Sequence, residues 1–287
     1  IGIGAMIDFG PLLEKPWLML FGAAAQFGIF VTLVLGGLFF DLNDAASIAI
    51  IGAADGPTAI FVANVLHSKY LGAIMVAAYS YMALVPIVQP PVIRLITTKK
   101  ERLIRMPYTQ GKVSKLTKIL FPIVVTIVAG IVAPASVALV GFLMFGNLLR
   151  ECGVLNSLSE TAQTALTNLI TIVLGLTVAS QMTADKFVQI DTLLIMGLGL
   201  FAFVFDTVGG VMFAKLINIF LPEGKKLNPM IGAAGISAFP MSGRVVNQMG
   251  LAEDNQNFLL MYSISVNVSG QIASVIAGGL ILTLMGV

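Results

Sequence analysis

The sequence predicts an all-α fold, a polytopic transmembrane helical bundle in which two helices are interrupted. Composition is the first observation, because 57% of the 287 residues are hydrophobic and only 10% are charged, whereas soluble domains are about 25% charged. The second is a series of apolar runs long enough to cross a bilayer as helices. The third is a pair of apolar stretches that Gly and Pro break and that carry polar side chains. Together they exclude an ordinary soluble domain.

We expect a single transmembrane domain over residues 1–287. Its first part, 1–96, contains an interrupted helix at 45–66, residues 97–118 form a basic loop, and the second part, 119–287, contains an interrupted helix at 228–248. The sequence opens at Ile1 within apolar residues and without an initiator Met, so we expect an N-terminal portion to be missing. A single His and the lone Cys152 argue against a zinc site, a haem site or a disulfide framework.

Uninterrupted spans account for most of the other apolar sequence. Residues 17–40 hold no charge and are long enough to cross the membrane. Further spans are predicted at 70–96, 161–179, 191–221 and 258–286. Residues 119–149 form two short apolar runs around Pro134, which fit either a tight hairpin or one bent passage.

The long polar loop at 97–118 fixes the expected orientation. It carries seven basic residues and one acidic residue, namely Lys99, Lys100, Arg102, Arg105, Lys112, Lys115 and Lys118 against Glu101. The positive-inside rule therefore places it in the cytoplasm. Beside a membrane span, contact with anionic lipid or an acidic partner subunit is favoured over a nucleic-acid surface.

The two interrupted stretches are predicted to form the working site. Residues 51–60 and 228–244 share the tetrapeptide Ile-Gly-Ala-Ala, and both contain Pro and Gly. Backbone groups freed from a helix at membrane depth must be buried in protein or line a wet cavity. Transporters build ion sites from such converging breaks, so we expect the two stretches to face each other. The shared tetrapeptide suggests an inverted repeat, although the number of passages between the stretches leaves their relative direction open.

Asp55 is the leading candidate in the first stretch. A carboxylate at membrane depth costs about 3 kcal/mol or more, which marks it as functional. With free carbonyls beside Gly56-Pro57 and the Thr58 hydroxyl, it supplies hard oxygen ligands suited to Na⁺ or to a relayed proton. The alternative is a helix cap in a shallow re-entrant turn.

The second stretch supplies neutral oxygens. Asn228, Gly232 and Ser237 form a candidate coordination shell; helix capping by Asn228 and close packing by glycine are the alternatives. Asn64 and Ser242 are further candidates.

Arg244 and two tyrosines complete the candidate residues. Arg244 lies two helical turns past Ser237, and its guanidinium suits a carboxylate, so it either pairs with Asp55 or Asp206 or holds a carboxylated substrate. Tyr79 and Tyr81 are phenols within a span and are either proton donors or interface anchors, with anchoring favoured for Tyr79.

Four stretches carry a family resemblance. Residues 22–28 (GAAAQFG), 52–58 (GAADGPT), 81–91 and 228–244 resemble the membrane-embedded beta subunit of biotin-dependent sodium-pumping decarboxylases, a family serving oxaloacetate, methylmalonyl-CoA or glutaconyl-CoA. The resemblance covers nearly all of the chain. It implies a multi-pass protein of a bacterial or archaeal cell membrane that decarboxylates carboxybiotin, consumes a proton and exports Na⁺.

The resemblance also implies partners and roles. A biotin carboxyl carrier protein would bring carboxybiotin from a carboxyltransferase alpha subunit, beside a small membrane gamma or delta subunit and further beta copies. Asp55, Asn228, Gly232 and Ser237 match positions of a Na⁺ site, Arg244 with Ser237 matches the carboxybiotin site, and Tyr81 matches a proton donor. A stand-alone Na⁺/H⁺ or Na⁺/carboxylate exchanger is the alternative function, and a membrane anchor without an ion site is the third.

Overall fold

The structure, a computed structural model, describes residues 1–108, 111–183 and 189–287, and within these ranges its regular elements are helical. The α-helices are α1 (Gly2–Met6), α2 (Gly10–Glu14), α3 (Met19–Ala24), α4 (Phe27–Gly36), α5 (Leu42–Ala49), α6 (Gly56–Val65), α7 (Leu71–Ile96), α8 (Lys99–Arg102), α9 (Lys115–Val132), α10 (Val137–Glu151), α11 (Asn156–Thr161), α12 (Thr167–Gln181), α13 (Ile190–Phe220), α14 (Met241–Glu253) and α15 (Leu260–Leu284). Shorter 3-10 helices cover Pro16–Leu18, Ile50–Ala53, Pro134–Ser136 and Pro229–Gly235, and a π-helical turn covers Ala162–Leu166.

Long apolar helices confirm the predicted membrane bundle. Among the described residues, six helical stretches are long and apolar enough to cross a bilayer. They are Pro16–Gly36, Leu71–Ile96, Lys115–Val132, Asn156–Ser180, Ile190–Phe220 and Leu260–Leu284. The predicted basic loop ends at Ser114, since Lys115 and Lys118 belong to α9, and its residues 109–110 lie outside the described part.

Residues 119–149 form the tight hairpin, one of the two arrangements that the sequence left open. Helix α9 ends at Val132, a 3-10 turn starts at Pro134, and α10 runs back to Glu151. The far ends meet again, where the Lys118 ammonium lies 3.8 Å from the Glu151 carboxylate.

The first interrupted stretch is a re-entrant hairpin, not one broken passage. It consists of α5, the 3-10 helix Ile50–Ala53 and α6, and we call it the first hairpin. Its two ends lie together, because the Asp44 carboxylate accepts hydrogen bonds from the Ser68 hydroxyl (2.7 Å) and the Lys69 amide (3.1 Å). The chain reverses at Ala54, whose φ of 51° is left-handed.

The second interrupted stretch also returns to the side from which it enters. It consists of the 3-10 helix Pro229–Gly235 and α14, and we call it the second hairpin. At its start, Asn228 Nδ2 donates to the Arg102 carbonyl (2.8 Å); at its end, Glu253 accepts from Arg102 Nε (2.7 Å). Both ends are therefore held by the same residue of the basic loop.

The two hairpins enter from opposite ends of the bundle. Tyr70, next to the first hairpin, bonds Asp191 at the start of α13 (2.8 Å), whereas Lys215 near the other end of α13 pairs with Glu101 (3.1 Å), close to the second hairpin. Asp191 and Lys215 are 24 residues apart on this helix, which separates the two contacts by roughly 36 Å. The two interrupted stretches therefore enter the bundle in opposite directions, a point that the number of passages in the sequence left open. The inverted repeat itself stays a prediction.

The span predicted at 17–40 contains a break that the sequence analysis did not expect. Helix α3 ends at Ala24 and α4 begins at Phe27. The Gln26 side chain lies at this break and donates from Nε2 to the Gly22 carbonyl (2.9 Å). This break is buried, as the two hairpin tips are.

Helix α13 packs against the second hairpin through two facing glycines. A Cβ added to Gly210 would lie 2.0 Å from the Gly232 carbonyl oxygen, and one added to Gly232 would lie 2.0 Å from the Gly210 carbonyl oxygen. Small residues let backbones approach this closely in lipid, where packing drives helix association.

We expect Gly210→Ala to lower the melting temperature of the purified protein in detergent, because the new methyl group meets backbone atoms that cannot rotate away. Overpacking of this kind typically costs about 1–3 kcal/mol. The control is Gly197→Ala on the same helix, where nothing lies within 4 Å of the added Cβ and the helix gains about 1 kcal/mol from alanine. Equal melting temperatures for the two variants would contradict the close approach.

Candidate ion-binding site

Asp55 lies at the tip of the first hairpin and caps helix α6. Its Oδ1 accepts from the Thr58 amide (3.4 Å), and its Oδ2 accepts from the Thr58 hydroxyl (2.8 Å). Pro57 stands in the first turn, where its missing amide hydrogen costs nothing. The capping alternative is thus correct as a description of the local structure. The capped end is nevertheless buried in the interior of the bundle, and an acidic side chain at that depth marks a functional site.

Two more hydroxyl groups reach the same carboxylate oxygen from other elements. The Ser237 hydroxyl, at the tip of the second hairpin, lies 3.3 Å from Asp55 Oδ2, and the Ser274 hydroxyl of α15 lies 2.8 Å from it. The two serine oxygens are 2.9 Å apart. In addition, the Ser237 amide donates to the Ala53 carbonyl (2.9 Å), so the two tips are in direct contact. As predicted, the two stretches face each other.

Helix α15 presents a polar face to this site. Asn267, Gln271 and Ser274 are spaced by four and three residues, which places them on one side of a helix. Asn267 Nδ2 donates to the carbonyls of Ala234 (3.1 Å) and Ile236 (2.7 Å).

Gln271 Nε2 donates to the Ser237 carbonyl. The side-chain amides of Asn267 and Gln271 thus donate to backbone carbonyls that have no helical partner where the second hairpin reverses. The sequence analysis did not assign Asn267, Gln271 or Ser274 to the site, although their helical spacing was a signal that could have found them.

Asn228 and Gly232 lie elsewhere on the second hairpin. Asn228 sits at its entrance, where Oδ1 accepts from the Met230 amide (3.1 Å) and Nδ2 donates to the carbonyls of Arg102 (2.8 Å) and Ile104 (2.9 Å). Its capping role is thus observed. Gly232 faces Gly210 of α13. The structure does not bring these two residues to Asp55.

Of the two tyrosines, Tyr79 borders the Asp55 tip, whereas Tyr81 is buried against α13. Tyr81 is buried, its hydroxyl donates to the Met196 carbonyl, and its ring lies against Gly199 of α13. Tyr79 is half-buried, and a Cβ on Gly56 would lie 2.4 Å from its ring, so it borders the Asp55 tip instead of anchoring a helix end.

Arg244 is exposed on α14, whereas the predicted pairing with Asp55 or Asp206 would require a buried guanidinium. Within the described ranges it forms no ion pair, so neither Asp55 nor Asp206 is its partner. The single hydrogen of the Ser242 hydroxyl is within reach of Gln89 Oε1 (3.0 Å) and of the Ala233 carbonyl (3.1 Å), and the first contact joins the second hairpin to α7. Asn64 is exposed near the other end of α6, more than one turn beyond Thr58.

The basic loop is fastened to the end of α14 by charged groups. Arg105 Nε lies 2.5 Å from Asp254 Oδ2, and this hydrogen bond, with one from the Gln256 amide, lowers the pKa of Asp254. Burial and a hydrogen bond to Glu14 raise the pKa of Tyr108. The Lys15 ammonium lies over the ring of Tyr108 at 4.7 Å, a cation–π contact. Several charged and aromatic contacts therefore connect the elements at the end of the bundle at which the second hairpin opens.

The side-chain atoms that could bind a metal ion at the two hairpin tips are oxygens. One carboxylate and three hydroxyls converge there, and such hard ligands suit an alkali or alkaline-earth cation better than a soft metal. No group of three or more His, Cys, Asp or Glu side chains with metal-binding geometry occurs in the part of the chain that the structure describes.

Comparison with known proteins identifies the family. The family model described as "Na+-transporting oxaloacetate decarboxylase beta subunit" matches residues 1–285. The chain belongs to this family. The resemblance of the four sequence stretches is thereby confirmed.

Individual proteins similar to this chain carry names of the same family. The oxaloacetate decarboxylase beta chain of Klebsiella pneumoniae is 53% identical over 290 residues, covering 98% of this chain and 66% of that protein. The probable oxaloacetate decarboxylase beta chain of Vibrio cholerae is 52% identical, with coverages of 98% and 66%. The methylmalonyl-CoA decarboxylase subunit beta of Propionigenium modestum is 51% identical, with coverages of 100% and 72%. The chain thus spans about two thirds of the length of these relatives.

We expect Asn267→Leu to destabilise the protein, because the carbonyls of Ala234 and Ile236 would lose a buried donor. Each unsatisfied buried group costs about 1–3 kcal/mol. Thermal unfolding in detergent measures the loss. Ser263→Ala on the same helix is the control, since its buried hydroxyl has no partner among the described residues. If both variants melt at the same temperature, Asn267 does not support the second hairpin.

Proposed function

We propose that this chain is the membrane subunit that couples the proton-consuming decarboxylation of carboxybiotin to Na⁺ export from the cytoplasm. The observation that carries the proposal is the contact between the two hairpin tips at Asp55. Each hairpin opens toward a different end of the bundle. A cation held at the tips could therefore be released toward either side when one hairpin moves.

The proposed Na⁺ ligands are Asp55, Thr58, Ser237 and Ser274. Hydroxyls that now donate to the carboxylate can turn their lone pairs toward a cation, so Na⁺ and protons compete for the same oxygens. This competition would couple the export of Na⁺ to the proton that decarboxylation consumes. Asn228 and Gly232 lie outside this group, and we propose that they support the hairpin that carries Ser237.

Arg244 is the proposed contact for the carboxylate of carboxybiotin. Its guanidinium is exposed, forms no ion pair within the described residues and lies on the hairpin that carries Ser237. A planar guanidinium binds a carboxylate through two parallel hydrogen bonds. Tyr81 is the proton donor that the resemblance implies, and Tyr79, which borders the Asp55 tip, is a second phenol available for that step.

The partners follow from the family. We propose that a biotin carboxyl carrier protein delivers carboxybiotin from a carboxyltransferase alpha subunit, and that a small gamma or delta subunit and further beta copies complete the complex in a bacterial or archaeal cell membrane. Relatives of nearly equal identity are named for oxaloacetate and for methylmalonyl-CoA. The choice of acid is therefore assigned to a partner subunit.

A stand-alone Na⁺-coupled exchanger is the second candidate. Opposed re-entrant hairpins can serve ion transport whether decarboxylation or an ion gradient drives it. Co-purification of a biotinylated subunit with this chain separates the two functions.

We expect Asp55→Asn to reduce Na⁺-dependent decarboxylation of free carboxybiotin by the purified complex about 100-fold or more. Removing one partner of a buried charge interaction costs about 3–5 kcal/mol. Asp191→Asn is the control, since Asp191 at the start of α13 accepts a hydrogen bond from the half-buried Tyr70, and asparagine retains that acceptor. Full Na⁺-dependent activity in Asp55→Asn would refute the proposed role.

We expect Ser274→Ala to raise the Na⁺ concentration needed for half-maximal thermal stabilisation about tenfold or more. Hydrogen bonds to charged groups contribute about 1.5–3 kcal/mol, and Ser274 contacts both Asp55 and Ser237. Ser265→Ala on the same helix should leave that concentration unchanged, because its buried hydroxyl bonds the Met261 carbonyl of its own helix. The ligand set would need revision if the two variants shifted it equally.

A further inference from the structure

A second carboxyl group, Asp206 of α13, is completely buried in the interior of the bundle. It faces the break between α3 and α4, where its Oδ1 accepts from the Ile29 amide (3.1 Å). The Gly28 amide also donates to this carboxyl group. Ile29 and Gly28 belong to the first turn of α4. Asp206 therefore caps a helix from another part of the chain, which stabilises an acidic oxygen there.

The other oxygen of Asp206 has no partner. Oδ2 is inaccessible and accepts no hydrogen bond within the described residues. A Cβ on Gly52 would lie 2.9 Å from it, and a Cβ on Gly28 would lie 2.7 Å from Oδ1. Glycine at these two positions lets the backbone close over both sides of the carboxyl group, which leaves no space for solvent.

A charged Asp206 would be unstable in this enclosure. None of the ion pairs of the described chain includes it. A buried carboxylate with an orphaned oxygen costs several kcal/mol, and one bound proton removes that charge. Titratable groups of the elements packed around α13 point elsewhere, and they are Tyr79, Tyr81 and Arg94 of α7, Asp44 of α5, and Asp191 and Lys215 of α13 itself.

The element that covers Asp206 also carries Asp55. Gly52 lies in the 3-10 helix Ile50–Ala53, three residues before Asp55. One face of this tip is against Asp206, and its end contacts Ser237 and the second hairpin. A shift of the tip on binding a cation at Asp55 would therefore change the enclosure of Asp206.

We propose that Asp206 is a second proton-binding site, separate from Asp55, and that it exchanges its proton against Na⁺ bound at the tips. As Na⁺ binds and the first hairpin shifts, the O–H bond at Oδ2 breaks, the proton passes to water, and the carboxylate that remains is held by the α4 amides. One Na⁺ enters for each proton that leaves Asp206. The inference rests on the proposed Na⁺ function of the hairpin tips.

The test counts protons. The full-length protein with its partner subunits, in detergent and weak buffer, is titrated with NaCl while a pH-sensitive dye records proton release. Asp206→Asn keeps the acceptor for the Ile29 amide but cannot ionise. We expect it to bind Na⁺ more weakly than the wild type, because its side chain stays in the neutral form that disfavours Na⁺, and at saturating Na⁺ to release fewer protons, by roughly one per chain. Infrared difference spectra should show a protonated carboxyl band that Na⁺ removes in the wild type, and Asp206→Asn should lack this contribution.

The outcomes separate the two proposals. Unchanged proton release in Asp206→Asn would overturn the second site and leave Asp206 as a cap alone. Absence of Na⁺ binding by the wild type would overturn the proposed function instead. If the asparagine variant does not fold, Asp206→Ser, which also offers an acceptor to α4, is titrated in the same way and judged by the same proton count.

Discussion

The structure depends on one constraint: a backbone group that leaves a helix inside a membrane must find its partner within the protein. The contact between the Ser237 amide and the Ala53 carbonyl meets this requirement at the point where the two hairpins touch. A water molecule could satisfy these groups in a soluble protein. In a bilayer the hairpins must satisfy each other, which fixes their tips together and brings the polar side chains at the tips to one place.

Each helix break uses a different side chain to satisfy its backbone. Asp55 caps the first hairpin from within its own sequence, and Asn267 donates to the carbonyls of the second hairpin from α15. Asp206 accepts from the first turn of α4. The same groups that stabilise the breaks are ionisable or rich in lone pairs, so stability and ion binding draw on the same atoms. This overlap explains why the polar residues of such an apolar chain concentrate in its interior.

Among the described residues, charged side chains at the end of the bundle where the second hairpin enters form ion pairs, unlike Asp55 and Asp206 in its interior. The pairs Arg102–Glu253 and Arg105–Asp254 hold the second hairpin and the basic loop together at one end of the bundle. Arg244 lies on the same hairpin, yet it is exposed and carries no partner among the described residues. A guanidinium without an ion pair is available to an incoming anion, and this is why we propose that Arg244 contacts the substrate.

The sequence by itself determined the membrane class, the helical fold and the helix-breaking stretches, because composition, span length and proline placement act locally. It also indicated the cap at Asn228 for the same reason. It singled out Asp55 as the leading candidate acid, which stays a prediction. Only the tertiary structure decided that both stretches return to the side from which they enter, that Arg244 is exposed and that Asn228 and Gly232 lie away from Asp55. It alone brought Ser237 and Ser274 to Asp55 across 182 and 219 residues of sequence. Such contacts depend on which helix faces pack together in the folded chain, and neither the spacing of residues nor their hydrophobicity along one segment specifies that.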